Sequence, residues 1–174
     1  MIRFVESVIL LEVPEAEALV RELRLEGDPS AALGVPAHVT LLYPFVAEPD
    51  EGVVEELRFF FAGVDGFPVE FSSVGEFPEV VYLAPDQPDV VSGLIGALAR
   101  RWPAYPPFGG AFDEVVPHLT VVNTPDSALR ARARAAVEPG LPVRSVAREA
   151  SLWVRREGSP WYRLARFPLG PVEP

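Results

Sequence analysis

The chain has 174 residues, 49 % of them hydrophobic and 23 % charged, which is the length of about one domain and the composition of a packed globular protein. Its 25 acidic residues outnumber 15 basic ones for a net charge of −10, which argues against holding a long nucleic acid duplex by counterion release. Cysteine and lysine are both absent, so disulfides, thiolate nucleophiles, cysteine-ligated metals, Schiff-base chemistry and a phosphate-loop lysine are excluded. No apolar run approaches the ~18 residues of a bilayer span, and the opening Met1-Ile2-Arg3-Phe4 has neither a basic n-region nor an apolar h-region. The expected setting is cytoplasmic, with no membrane partner.

In chain order, residues 4 to 12 read as a mostly buried strand. Pro14 suits the first turn of a helix whose apolar stripe is Leu19, Val20 and Leu23 and which Gly27 ends. A loop through Pro29 and Pro36 leads into a β-rich run from His38 to Phe45, interrupted by Pro44. Pro49-Asp50 opens a helix with Val53, Val54, Leu57, Phe60 and Phe61 on one face. Strands follow from Gly66 to about Ser73 and from Val80 to Ala84, then a helix over 89–101. Residues 103–113 form a loop dense in Pro, Gly and aromatics. A short strand from His118 to Val122 precedes a helix capped by Asp126-Ser127, and Gly140-Leu141-Pro142-Val143 restarts strand. The C-terminal segments 150–157 and 161–169 read as a hairpin turned by Gly158-Ser159-Pro160.

One order of features occurs twice: a His-x-Thr strand, Pro-Asp, a helix, then Gly-x-Pro-Val. It runs from His38 to Val69 and again from His118 to Val143. Two copies predict a pseudo-two-fold arrangement in which matching strands face each other.

The chain has two histidines and three threonines, and each histidine has a threonine two positions later. Scattered threonines would do this about three times in ten thousand. On a strand, residues i and i+2 share a face and the residue between points away. His38 and Thr40 are therefore presented together, as are His118 and Thr120, while Val39 and Leu119 anchor their strands in a core. Two imidazoles and two hydroxyls suit phosphodiester chemistry. One neutral imidazole takes a proton from the attacking oxygen, the other, protonated, gives one to the leaving oxygen, and the hydroxyls donate to the non-bridging oxygens. No metal or cofactor is required. A single histidine beside an apolar strand is ordinarily a hydrogen-bonded core residue, and a two-histidine metal site would draw on Asp113 and Glu114. Recurrence of the motif in matching repeats favours a functional pair.

Two such motifs 80 residues apart resemble those of the 2H phosphoesterase superfamily, which includes 2′-5′ RNA ligases and cyclic nucleotide phosphodiesterases. Ala37-His38-Val39-Thr40-Leu41-Leu42-Tyr43-Pro44-Phe45 has the form of the first motif in the bacterial 2′-5′ RNA ligase-like branch, and Pro117-His118-Leu119-Thr120-Val121 that of the second. The resemblance implies an α+β fold over residues 1–174, a single bilobal domain with two antiparallel sheets lining a central cleft and helices outside. It implies hydrolysis of 2′,3′-cyclic or 2′-5′ phosphodiesters without metal or cofactor, and in some members reversible RNA ligation. It makes His38 and His118 the acid–base pair, with Thr40 and Thr120 on the phosphate. Some members carry an arginine five residues after the second histidine; here that position is Asn123.

Around the pair, Tyr105 and Phe108 are candidates to stack on a nucleobase, or else pin their loop to the core. Tyr43 and Phe45 have the same two roles open, although a regular strand would turn Tyr43 away from Thr40. Trp153, Trp161 and Tyr162 read as core or edge packing. Arg155 and Arg156 sit near the last turn as solvated charge or as ligands of a terminal phosphate, with Arg156 the substrate-binding candidate. Arg130, Arg132 and Arg134 read as a solvated helix face. The expected partner is a small nucleotide with a cyclic phosphate, or an RNA terminus, and the expected state a monomer. The rival reading is a nucleotide-binding module with the same cleft and little turnover.

Overall fold

The structure is a computed structural model and describes residues 4–172. Strands β1 (Phe4–Glu12), β2 (His38–Leu42), β3 (Asp65–Phe77), β4 (Val80–Pro85), β5 (Leu119–Asn123), β6 (Val143–Ala147), β7 (Glu149–Arg156) and β8 (Trp161–Pro168) form one curled antiparallel path. Its order is β6-β3-β4-β5-β2-β1-β7-β8. A last short strand, β9 (Gly170–Val172), which sequence patterning did not reveal, runs parallel to the start of β3. The expected α+β fold with two antiparallel sheets is present as two four-stranded halves. They are joined at the centre by β2 and β5, paired in register at Val39 and Leu119.

The helices are α1 (Glu17–Gly27), α2 (Pro29–Ala32), α3 (Glu51–Ala62), α4 (Pro88–Arg101) and α5 (Ser127–Val137). The starts of α3 and α5 follow the capping chemistry: Asp50 accepts from the Val53 N–H, and Asp126 from the N–H groups of Ala128 and Leu129. Leu57 and Phe61 of α3, Leu94 and Leu98 of α4 and Leu129 of α5 enter one core with Val39, Leu41, Leu119 and Val121. Helices α3, α4 and α5 therefore cover the face of the sheet to which the middle residues of both motifs point. The opposite face is left to the motif side chains. None of these helices is long and apolar enough to cross a membrane.

The two-fold relation holds for part of the repeat only. β2 and β5 face each other as expected, but β3 and β6 pair with each other on the same side of that centre. One axis through β2 and β5 cannot relate them. By position it matches β4 with β1, β3 with β7 and β6 with β8. The shared Gly-x-Pro-Val segment thus marks strands that pair, not strands that the central axis exchanges.

Candidate active site

The pairing of Val39 with Leu119 decides the geometry of the four motif side chains. In an antiparallel pair the flanking positions also oppose one another, so His38 stands across from Thr120 and Thr40 across from His118. Side chains so placed have Cβ atoms about 5 Å apart. Val39 and Leu119 are fully buried on the other face. His38, Thr40, His118 and Thr120 all line one cavity of about 370 Å³.

Both imidazoles are held in the same way. His38 Nδ1 lies 2.7 Å from the Pro36 carbonyl oxygen, and His118 Nδ1 lies 2.7 Å from that of Val116. A carbonyl oxygen only accepts, so each Nδ1 carries the ring proton and donates it. Each Nε2 is then the basic atom of a neutral ring. Burial depresses both pKa values: His38 is brought down to about 4, with the nearby Arg24 and His118 charges acting in the same direction, and His118 is lowered as well.

Behind His38, the guanidinium of Arg24 is buried against Asp28 at 3.1 Å and also donates to the Val35 carbonyl. Asp28 in turn accepts from the Ser30 hydroxyl and N–H. Around His118, Phe77 and Tyr82 meet the imidazole edge-on at 5.1 and 5.4 Å, and the two rings stack on each other at 4.4 Å. Gly75 makes this possible: a Cβ there would come within 2.3 Å of the Tyr82 ring. On the far wall, Glu6 accepts from the Tyr43 hydroxyl at 2.5 Å and pairs with Arg155 at 3.2 Å. Burial and the Glu6 bond push the Tyr43 hydroxyl up to about 12, so it stays a donor.

Of the substrate-binding candidates, Tyr43 and Phe108 line the cavity. Strand β2 ends at Leu42, so alternation does not extend to Tyr43, which turns to the side of Thr40. Phe45, Tyr105 and Arg156 do not line this cavity. Phe45 is 3 % exposed and packs edge-on against Trp102 and Tyr105, which pins the loop to the core. Arg156 lies over the Tyr162 ring and donates to its hydroxyl. Adjacent strand residues point to opposite faces, and Arg155, opposite Glu6 in register, is the one that reaches the cavity. Trp161, expected as packing, lines the cavity too. Sequence reasoning missed Glu6, Asp28 and Ser30. Glu6, Val8 and Leu10 do carry a signal in their i, i+2, i+4 spacing, but only the pairing tells which face of β1 looks inward. Asn123, met in the sequence as a departure, is a lining residue. Among the described residues, no group of three or more His, Asp or Glu side chains is placed to hold a metal ion.

The sequence from 12 to 159 matches the family model described as the 2′-5′ RNA ligase superfamily. The chain belongs to that superfamily. Its fold is similar to that of E. coli LigT solved with NADP+, at 20 % identity and a TM-score of 0.58, with 96 % of this chain and 98 % of LigT covered. TT0787 of Thermus thermophilus is similar at 19 % identity and a TM-score of 0.58, covering 94 % and 97 %. A structure described as a phosphoesterase matches at 21 % identity and a TM-score of 0.57, covering 96 % and 99 %. No curated protein sequence matches the chain. This places the chain in the 2H phosphoesterase superfamily.

Proposed function

We propose that this cavity cleaves a 2′,3′-cyclic or 2′-5′ phosphodiester in a small nucleotide or RNA terminus by acid–base chemistry, without a metal, and that the same site can run in reverse as RNA 2′-5′ ligation. The observation that carries the reading is the matched pair of imidazoles, each tethered through Nδ1 with Nε2 basic, on adjoining strands with a threonine across from each.

In the free protein both rings are held neutral by burial. A bound phosphodiester brings a negative charge between them, which favours a proton on one ring. The neutral ring takes the proton of the attacking water or hydroxyl, the protonated ring gives its proton to the leaving oxygen, and the threonine hydroxyls donate to the non-bridging oxygens. Trp161, Val8, Leu10 and Val35 offer an apolar wall for the base of the nucleotide. E. coli LigT solved with 3′-AMP, a nucleoside monophosphate, supports a ligand of this class. With a net charge of −10, the chain favours small substrates over long RNA, and we read it as a monomeric single domain.

The test is hydrolysis of nucleoside 2′,3′-cyclic phosphates in excess chelator, resolving 2′- from 3′-monophosphate. The expected result is turnover that falls about 10²-fold or more in His38→Ala and in His118→Ala while both variants stay folded. Turnover that survives both substitutions, or that the chelator abolishes, overturns the reading. Tight binding of a monophosphate without any turnover favours a nucleotide-binding module instead.

A further inference from the structure

Beside the cavity that holds the motif side chains lies a second one of about 540 Å³, and Phe108, His118 and Asn123 line both. The second chamber is otherwise mainly apolar, with Phe77 from β3, Val80 from β4, and Phe112 and Val116 from the segment before the second motif. Phe112 is 62 % exposed and Val116 41 % exposed. Exposed apolar residues scattered singly need no explanation, but here they converge on one concavity next to a reactive imidazole.

Phe108 stands at the boundary between the chambers. Its φ of 52° lies in the left-handed region that a bulky residue seldom adopts, its N–H donates to the Tyr43 carbonyl at 2.5 Å, and its ring meets Phe112 edge-on at 5.7 Å. Such strain is held only where the surroundings over-determine it. The two histidines are unlike in one respect. His38 lines the first chamber alone, whereas His118 lines both. Of these two chambers, the aromatic one therefore lies on the His118 side of a phosphorus held between the imidazoles.

We infer that this second chamber is the subsite for the nucleobase of the nucleoside that carries the 5′-oxygen of the scissile bond, so that the site takes a 2′-5′-linked dinucleoside unit. The inference rests on the phosphodiester reading above and gives the histidines distinct roles. The free 3′-hydroxyl beside the linkage passes its proton to His38 Nε2, and its oxygen bonds to phosphorus. The P–O5′ bond breaks with its electron pair on O5′, which takes a proton from His118. The products are a nucleoside 2′,3′-cyclic phosphate in the first chamber and a nucleoside with a free 5′-hydroxyl in the second. Ligation is the same path reversed. Hydrolysis of the cyclic phosphate puts water where the 5′-hydroxyl stood, and His118 then acts as base. Aromatic walls accept any base, because stacking needs only a π-face.

The experiment compares kcat/KM for adenylyl-(2′→5′)-adenosine with kcat/KM for adenosine 2′,3′-cyclic phosphate, in the wild type and in variants of the exposed Phe112. Phe112→Ala should lower the ratio of the first to the second about tenfold, the worth of one stacked base. Phe112→Trp should keep the ratio near the wild-type value, since it keeps a stacking face. A ratio unmoved by Phe112→Ala overturns the subsite. So does a wild type that hydrolyses the cyclic phosphate and leaves the dinucleoside intact, with the phosphodiester reading still standing. A wild type that turns over neither sinks that reading, and the subsite with it.

Discussion

Val39 of β2 and Leu119 of β5 stand directly opposite each other where the two halves of the sheet meet. Each is the middle residue of a His-x-Thr motif, and each is fully buried on the helix-covered face. The pair holds both motifs in register, because a slip of one residue would turn every motif side chain into the core.

Truncating that contact should cost both stability and rate. Leu119→Ala removes a fully buried side chain and should destabilise the fold by about 2–5 kcal/mol, read from denaturant unfolding. The same variant should lose activity well below its melting range, since the two motifs lose their common register. Wild-type activity in a destabilised Leu119→Ala would show that the register is set elsewhere.

Stability should fall on the acidic side through His38. Its folded pKa of about 4 lies below the 6.5 of an unconstrained histidine. Between these values the unfolded chain binds the proton and the folded chain does not, so stability rises with pH across that window. Its contribution is complete above about pH 6.5 and is lost as pH falls toward 4. The difference in melting temperature between wild type and His38→Gln, followed from pH 7 to pH 4, isolates this from the carboxylates. A pH-independent difference contradicts it.

Ligand binding should draw in a proton. Both imidazoles are neutral in the free protein near neutral pH, and an anion between them favours a charged ring. Calorimetry of a nucleoside monophosphate in two buffers of different ionisation enthalpy should show net proton uptake between pH 5 and 7. His118→Ala and His38→Ala identify which ring takes it. Binding with no buffer dependence rules the linkage out.

Arg24 should tune His38 from behind. Its guanidinium is buried with Asp28, and its charge helps to hold the His38 pKa down. Arg24→Met should raise that pKa, seen by NMR titration of the imidazole, and shift the acidic limb of the rate profile upward. Leaving Asp28 without its cation should also cost about 3–5 kcal/mol. An unchanged His38 titration in a folded Arg24→Met refutes the electrostatic role.

A methyl group at Gly75 should act at a distance on His118. The new Cβ would meet the Tyr82 ring at 2.3 Å, and Tyr82 with Phe77 forms the edge contact that sets the imidazole. Gly75→Ala should lower kcat more than it raises KM, while Gly93→Ala, where a Cβ meets nothing within 4 Å, should leave the rate as it is. Equal rates for the two variants would disconnect Tyr82 from the site.

The amino-acid sequence by itself determined the parts that depend on local pattern. Runs and periods of apolar residues placed β1 and helices α1, α3 and α4, and Pro49-Asp50 and the Asp126-Ser127 cap marked the starts of α3 and α5. Alternation put His38 with Thr40 and His118 with Thr120, since the period of a strand is a local property. Tertiary structure alone decided which strands meet. The pairing of β3 with β6 cannot be read from the Gly-x-Pro-Val repeat, because two similar segments are compatible with either pairing or exchange. The choice of Arg155 over Arg156 depends on the face that β7 turns to β1, and the burial of Phe45 on where Trp102 and Tyr105 come to rest. Glu6 and Trp161 reach the histidines across more than thirty residues of chain, through pairings and loop contacts that no local pattern encodes. Position along a strand is written in the sequence, whereas proximity between strands belongs to the packed core.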